Sequence, residues 1–343
     1  MSDAHQPGQQ VPDQQLPDQR PPGRHRPEQE PPGEHGPAQE PAAGDGWVRV
    51  RVPATSANLG PGFDALGLSL ARYDEVAARI SDDGVRVTAT GEGAGAVPTD
   101  GSHLVAATAL ATFDRLGGRP PGLELRCTNR IPHARGLGSS SAAIVAGVLL
   151  AAALTGTDLP TATALRWAAA AEGHPDNVAP CLYGGATIAW TDPVDGARAV
   201  RLEPVAGLQP VALVPAVQGR TAQARALLPA QVPHADAAAT AGRAALLVHA
   251  LTVAPELLLA ATEDRLHQRY REPAMPASLA LVDSLRTAGV PAVLSGAGPT
   301  VLALLSGDVT AGQRRVGEVL AEAGAGFVTL PLAVDAAGAR VCS

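Results

Sequence analysis

The residues with the most capacity for chemistry form one run, Pro132-His133-Ala134-Arg135-Gly136-Leu137-Gly138-Ser139-Ser140-Ser141-Ala142. Two glycines permit tight backbone turns, three hydroxyls follow, and a long Ala-rich apolar stretch begins at the serines. If that stretch is a helix, its first-turn N–H groups lack partners and sit at the positive end of the helix dipole, which makes an anion site. The hydroxyls of Ser139, Ser140 and Ser141 add donors for phosphate oxygens, or oxygen ligands for Mg²⁺. The same string also describes a serine-capped helix after a flexible turn, so the loop alone does not decide. It is not a Walker A loop, because the chain's 26 basic residues are all Arg and the required Lys is missing. Nor is it G-x-G-x-x-G, which disfavours a dinucleotide fold. A second group, His174-Pro175-Asp176-Asn177, sets an imidazole, a carboxylate and an amide within four residues, a composition that also suits a plain turn.

Elements on either side must position these groups. Trp47–Pro53 alternates Val with Arg, the period of a strand, and Asp74–Ile80, Gly84–Thr90 and Leu123–Asn129 read as further strands. Ser102–Leu116 has helical spacing and ends at Gly117-Gly118, a C-cap pattern. The longest apolar run, Ala142–Leu154, has 13 residues. That is short of the ~20 needed to span a bilayer, so it is predicted as a buried helix. A helix over Thr161–Ala171 and short strands over Ala186–Trp190 and Val211–Pro215 follow. The second half is predicted to carry helices around Ala222–Leu228, Ala235–Leu251, Pro255–Gln268, Pro276–Ala288 and Gln313–Ala323. Strands Ala292–Ser295 and Val301–Leu305 flank another glycine loop. Strands and helices interleave in both halves, so the class is α+β. At about 150 residues per domain the chain suits two domains, with a boundary near residue 200.

Composition narrows the partners. Residues 1–46 are rich in Pro, Gln, Glu, Gly and His, repeat Pro-Pro-Gly with a period of ten, and are predicted to be disordered. Eight acids and three Arg give that segment −5 of the total −7, leaving a near-neutral body without a basic cluster. Nucleic acid is therefore not expected as a partner, and no membrane segment is expected either. Cys127, Cys181 and Cys342 are scattered, which suits a reducing cytoplasm and gives neither a disulfide framework nor a zinc site. A homodimer is compatible with the sequence but not specified by it.

Three segments in order carry a resemblance. The 132–142 run resembles the P-x-x-x-G-L-G-S-S-A phosphate loop of the GHMP small-molecule kinases. Pro53-Ala54-Thr55-Ser56-Ala57-Asn58-Leu59-Gly60-Pro61-Gly62-Phe63-Asp64 resembles their first motif, in the form of the homoserine kinase branch. Leu294-Ser295-Gly296-Ala297-Gly298-Pro299-Thr300 resembles the third, a glycine loop that closes on the phosphates. Glu172-Gly173-His174-Pro175-Asp176-Asn177-Val178-Ala179-Pro180 is similar to the homoserine kinase signature, with Asn177 where the mevalonate and galactose branches carry a catalytic Asp. The resemblance covers residues 47–343 and implies the two-domain GHMP kinase fold. Residues 47–200 would form a ribosomal-protein-S5-like ATP-binding domain and residues 201–343 a ferredoxin-like C-terminal domain.

It also implies the substrates: ATP on the 132–142 loop, and L-homoserine, phosphorylated on its side-chain hydroxyl in a step of threonine biosynthesis. A zwitterionic acceptor needs an anion near its ammonium and a cation near its carboxylate. Asp64, with Asn58, fits the first need. Arg225 in Thr221-Ala222-Gln223-Ala224-Arg225 and Arg271 in Leu266-His267-Gln268-Arg269-Tyr270-Arg271 resemble the family's carboxylate-binding segments. His174, Asp176 and Gly296 complete the expected pocket. Glu172 and Ser140 match the family's Mg²⁺ pair. Asn177 cannot act as a base, so positioning and charge neutralisation are expected to drive the transfer. At the adenine pocket, Ser102-His103-Leu104-Val105 departs from the family's Asn-x-Val, leaving His103 to stack or hydrogen-bond there.

Overall fold

The computed structural model describes residues 46–219, 221–323 and 326–342. Apart from Gly46, the expectation of a disordered 1–46 segment lies outside them. The first part contains β1 (Val48–Ala57), β2 (Leu66–Ser81), β3 (Gly84–Gly91), α1 (Leu104–Leu116), β4 (Gly122–Asn129), α2 (Ser139–Leu154), α3 (Thr161–Glu172), α4 (Val178–Tyr183), β5 (Ala186–Asp192) and β6 (Gly196–Leu202). Then follow β7 (Gln209–Pro215), α5 (Thr221–Ala226), α6 (His234–Thr252), α7 (Leu258–Ala261), α8 (Pro276–Thr287), β8 (Ala292–Leu294), β9 (Val301–Leu305), α9 (Val309–Ala323), β10 (Phe327–Pro331) and β11 (Arg340–Cys342).

Seven strands form the first sheet, in the order β11-β1-β2-β4-β3, with β5 paired to Leu66–Leu68 of β2 and β6 to β5. β3 runs parallel to β4, and the other pairs are antiparallel. β1 continues past Pro53 because its register with β2 shifts between Pro53 and Ala54. Such an irregularity tolerates a residue with no N–H to donate. β2 begins well before Asp74; Leu66–Leu70 are all buried, Gly67 and Ser69 as well as the alternating leucines. Four further strands form the second sheet, β10-β7-β9-β8.

Side-chain alternation explains how the second sheet sits. Ala212, Val214, Leu302, Leu304 and Val293 face one apolar cluster, which also takes in the first sheet, α1, α2 and α6. Val211, Leu213, Val301, Ala303, Ala292 and Leu294 face a second cluster with α8 and α9. Strand residues of opposite parity point to opposite faces, so this sheet is buried on both sides. With so few aromatics, Leu, Val and Ala fill both cores. Close packing then requires short side chains at helix crossings: a Cβ on Gly147 of α2 would lie 2.7 Å from the Val105 carbonyl oxygen and 2.8 Å from Thr108 Cβ on α1.

One expected helix is corrected. Pro255–Gln268 is a 3₁₀ turn, Pro255–Leu257, followed by the four-residue α7, and the chain is not helical from Thr262 to Gln268. The Asp264 carboxylate accepts the N–H groups of Leu266, His267 and Gln268 at 2.8, 3.1 and 2.8 Å, which replaces the helical acceptors. A second 3₁₀ turn, Arg269–Ala274, carries Arg271. Strands β6, β10 and β11 had no predicted counterpart.

Candidate active site

A cavity of about 460 Å³ opens at the N-terminus of α2 and is walled by both halves of the chain. Gly138 sits at the helix N-cap with φ of 70°, and a Cβ there would collide with the Thr55 side chain, so the turn requires glycine. No side chain caps α2, and its first turn holds no acid. The first-turn amides are therefore left for an anion.

The loop's other residues divide between the cavity and the scaffold. His133, Ala134, Gly136, Gly138, Ser139, Ser140 and Ser141 line the cavity, whereas Pro132, Arg135, Leu137 and Ala142 do not. Arg135 turns away to the carbonyls of Pro215 and Ala216 at 3.0 and 2.9 Å, tying the loop to the end of β7. The Leu137 carbonyl accepts the Thr55 N–H at 3.1 Å, and Leu137 itself is buried. From the opposite side, the Ser295 hydroxyl donates to the Gly136 carbonyl at 2.6 Å, so the late glycine loop is bonded to the early one.

Glu172, the last residue of α3, receives the Ser140 hydroxyl on one carboxylate oxygen at 2.9 Å and the Ser141 hydroxyl on the other at 3.0 Å. His174 and Asp176 are paired, Nδ1 to Oδ1 at 2.5 Å, with Asp176 only 1% exposed. The hydrogen bond to Asp176 raises the His174 pKa above its ordinary value, against the opposing effect of burial. Thr55 donates its hydroxyl to Asn177 Oδ1 at 2.8 Å. That bond fixes the amide so that its NH₂ group is the end left for a ligand.

Asp64 and Arg225, expected as separate ligand groups, meet each other: Arg225 donates to both Asp64 oxygens at 2.7 and 3.1 Å. Arg225 lines the cavity and Asp64 does not. Arg271 is different. It is 1% exposed, lines the cavity, has no carboxylate within ion-pair distance among the described residues, and leaves its Nε without a partner among them. Its one hydrogen bond to the protein runs from Nη1 to the Gly296 carbonyl at 2.9 Å; the same carbonyl accepts Asn58 Nδ2 at 2.8 Å. Burial, and then repulsion from Arg225, push the Arg271 pKa down to about 10.

At the other end of the cavity His103 is 6% exposed and its Nδ1 has no partner. Burial, then neighbouring His133, lowers its pKa, so its ring is neutral. Asp74, Asn129 and Pro98 are among the lining residues that sequence reading missed. Asp74 alone carried a signal, as an acid on a strand whose neighbours point inward. Its Oδ1 accepts the N–H groups of Arg130 and Ile131 at 2.6 and 2.8 Å, which anchors the entry to the phosphate loop.

Residues 103–185 match the model of the GHMP kinases N terminal domain, and residues 243–322 that of the GHMP kinases C terminal. A homoserine kinase of Streptomyces avermitilis is 57% identical over 297 residues, 86% of this chain and 95% of that protein. One from Streptomyces coelicolor is 56% identical over the same length, 86% and 94% of the two chains. The crystal structure of homoserine kinase from Cytophaga hutchinsonii superposes with a TM-score of 0.77 at 30% identity, covering 89% of this chain and all of that one. A phosphate loop without lysine, a bonded Glu–Ser pair beside it and two matched halves define the class: the chain belongs to the GHMP kinases and, within them, to the homoserine kinase family.

Proposed function

We propose that the protein transfers the γ-phosphoryl group of ATP to the side-chain hydroxyl of L-homoserine, giving O-phospho-L-homoserine for threonine biosynthesis. The observation that carries this reading is Arg271, a guanidinium almost fully buried in the cavity wall with no acidic partner. A buried, unpaired cation is costly, and a ligand carboxylate supplies the missing charge. A neutral sugar has no such group. Arg225, already neutralised by Asp64, directs a second cation to the same region. The Asp64 carboxylate, bonded to Arg225 outside the cavity lining and half-exposed, is the acid we assign to the substrate ammonium.

Triphosphate is read at the start of α2, where helix amides replace a lysine. Glu172 would repel phosphate from this place unless a cation stood between them. The donor set, one carboxylate with the Ser140 hydroxyl and room for phosphate oxygens and water, fits Mg²⁺. When bound, Mg²⁺ would supply charge neutralisation on the phosphate oxygens.

In the transfer the acceptor oxygen forms its bond to the γ-phosphorus as the bond to the β,γ-bridging oxygen breaks, and ADP leaves. The hydroxyl proton passes to the transferred phosphoryl group. Asn177 holds no base, and Asp176 is buried and engaged with His174. Asn177, turned by Thr55, donates its NH₂ to the reacting oxygens and aligns them. A loose transition state needs this positioning more than it needs proton abstraction. His103 lies where the nucleotide base would reach from the loop.

The same reading assigns residues 47–200 to the ATP-binding domain and 201–343 to the C-terminal domain, and places the enzyme in the cytoplasm with its two metabolites. Among the described residues no helix is long and apolar enough to cross a membrane. A coupled ADP-release assay with homoserine, serine, mevalonate and galactose tests the proposal. Homoserine should be preferred by ~10⁴-fold over galactose, which has no charge, and over mevalonate, which has a carboxylate but no ammonium. Turnover of galactose or mevalonate at the homoserine rate would defeat it.

A further inference from the structure

Phe63 belongs to neither apolar cluster, whereas the other two phenylalanines do: Phe113 lies in the first and Phe327 packs against the second. Its ring instead stands beside both arginines of the cavity. The guanidinium carbons of Arg225 and Arg271 lie 5.9 and 5.8 Å from its centroid. The His267 ring stacks on it at 5.0 Å between centroids, with 26° between the planes.

His267 is itself fixed. It is fully buried, and its Nε2 lies 2.7 Å from the Gly60 carbonyl, which can only accept, so Nε2 carries the proton. Gly60 and Phe63 are on one loop, whose next residue, Asp64, grips Arg225. Asn58, at the start of that loop, shares the Gly296 carbonyl with Arg271. Four contacts from one short loop thus reach both guanidiniums, directly or through one intermediary.

Two like charges brought to one place repel, and each flexible side chain would otherwise swing away. An aromatic face attracts both, because its quadrupole is negative there. We propose that Phe63, braced by His267, is a positioning residue that sets the separation and orientation of Arg225 and Arg271. It thereby determines the preference for an acceptor that bears a carboxylate. This rests on the homoserine reading above.

The test compares two acceptors: homoserine, and aminopropanol, which is homoserine without its carboxylate. Phe63→Leu keeps an apolar side chain but removes the ring. It should lower kcat/KM for homoserine roughly tenfold, mainly through KM, the scale of two lost cation–π contacts. Aminopropanol kcat/KM and the KM for ATP should stay within about twofold, and Phe63→Tyr should restore homoserine turnover. A merely structural role would depress both acceptors and ATP together, which would overturn the proposal, as would an unchanged ratio. If Phe63→Leu proves too unstable to assay, His267→Gln serves. It keeps a donor for the Gly60 carbonyl, removes the stacked ring, and should shift the same ratio roughly threefold in the same direction; an unchanged ratio there overturns the proposal equally. Arg271→Ala, run in parallel, separates the two ideas. If it too leaves the acceptor ratio alone, the carboxylate reading fails. If it collapses the ratio and Phe63→Leu does not, only the role of Phe63 fails.

Discussion

Arg271→Ala puts the functional reading at greatest risk. Burial, and then Arg225, push the pKa of this guanidinium well below its ordinary value, to about 10. That difference corresponds to about 3 kcal/mol by which the charged form is disfavoured in its site. A substrate carboxylate seated against it relieves this cost, so removing the cation forfeits a similar amount of acceptor binding. About 3 kcal/mol is roughly 100-fold in kcat/KM for homoserine. The loss should fall on KM, because the carboxylate is far from the reacting hydroxyl and is bound equally in ground and transition states. The Gly296 carbonyl keeps its bond from Asn58, and Ser295 its bond to Gly136, so the glycine loop stays tied after truncation. Steady-state kinetics with each substrate varied in turn would read both constants. A homoserine KM within about threefold of wild type, or an ATP KM that rises as much as the homoserine KM, would refute the reasoning.

Other outcomes follow from individual contacts. Glu172→Gln and Ser140→Ala should each lower kcat roughly 100-fold, the scale of one lost electrostatic partner in the transition state; wild-type turnover in both would remove these residues from the phosphate site. Asp74→Ala leaves the buried N–H of Ile131 and that of Arg130 without an acceptor. It should cost about 2–4 kcal/mol and several degrees of Tm, while Asp74→Asn, which still accepts, should cost less; equal Tm values for the two variants would contradict this. The His174–Asp176 pair stabilises the fold through a raised imidazole pKa. Its contribution is complete below the unfolded value of about 6.5 and is lost as pH rises through the higher folded value. The Tm advantage of wild type over His174→Gln should therefore shrink from about pH 6 upward, and a gap that widens with pH would reverse the assignment.

Periodicity made the first half of the fold legible. The run from Ser139 to Leu154 and the Gly117 cap are features of local sequence, and the structure places a helix and a left-handed residue there. What escaped was decided elsewhere in the chain. β10 and β11 are short, largely exposed strands that exist because β7 and β1 offer partners. The stretch after Ala261 has helical composition, yet one carboxylate, Asp264, draws three backbone donors out of that pattern. At the site, motif order brought most of the lining residues into view, because helix starts and tight turns are local. The pairing of Asp64 with Arg225 was not legible, since it joins residues 161 apart. Nor was the contrast that makes Arg271 the unpaired guanidinium: two Arg in similar segments differ only in what tertiary packing sets beside them.

The placement of β11 bears on how the polypeptide must acquire its fold during synthesis. β1 precedes β2 in the chain, and β2 can zip onto one of its edges as soon as it emerges. The other edge stays open until Arg340–Cys342 has been made, because those residues pair with Arg49–Arg51. Until then a nascent chain displays a raw strand margin, the kind that sticks to other unfinished chains. Arginines at 49 and 51 alternate along that margin, and their like charge discourages such mispairing until the native partner arrives.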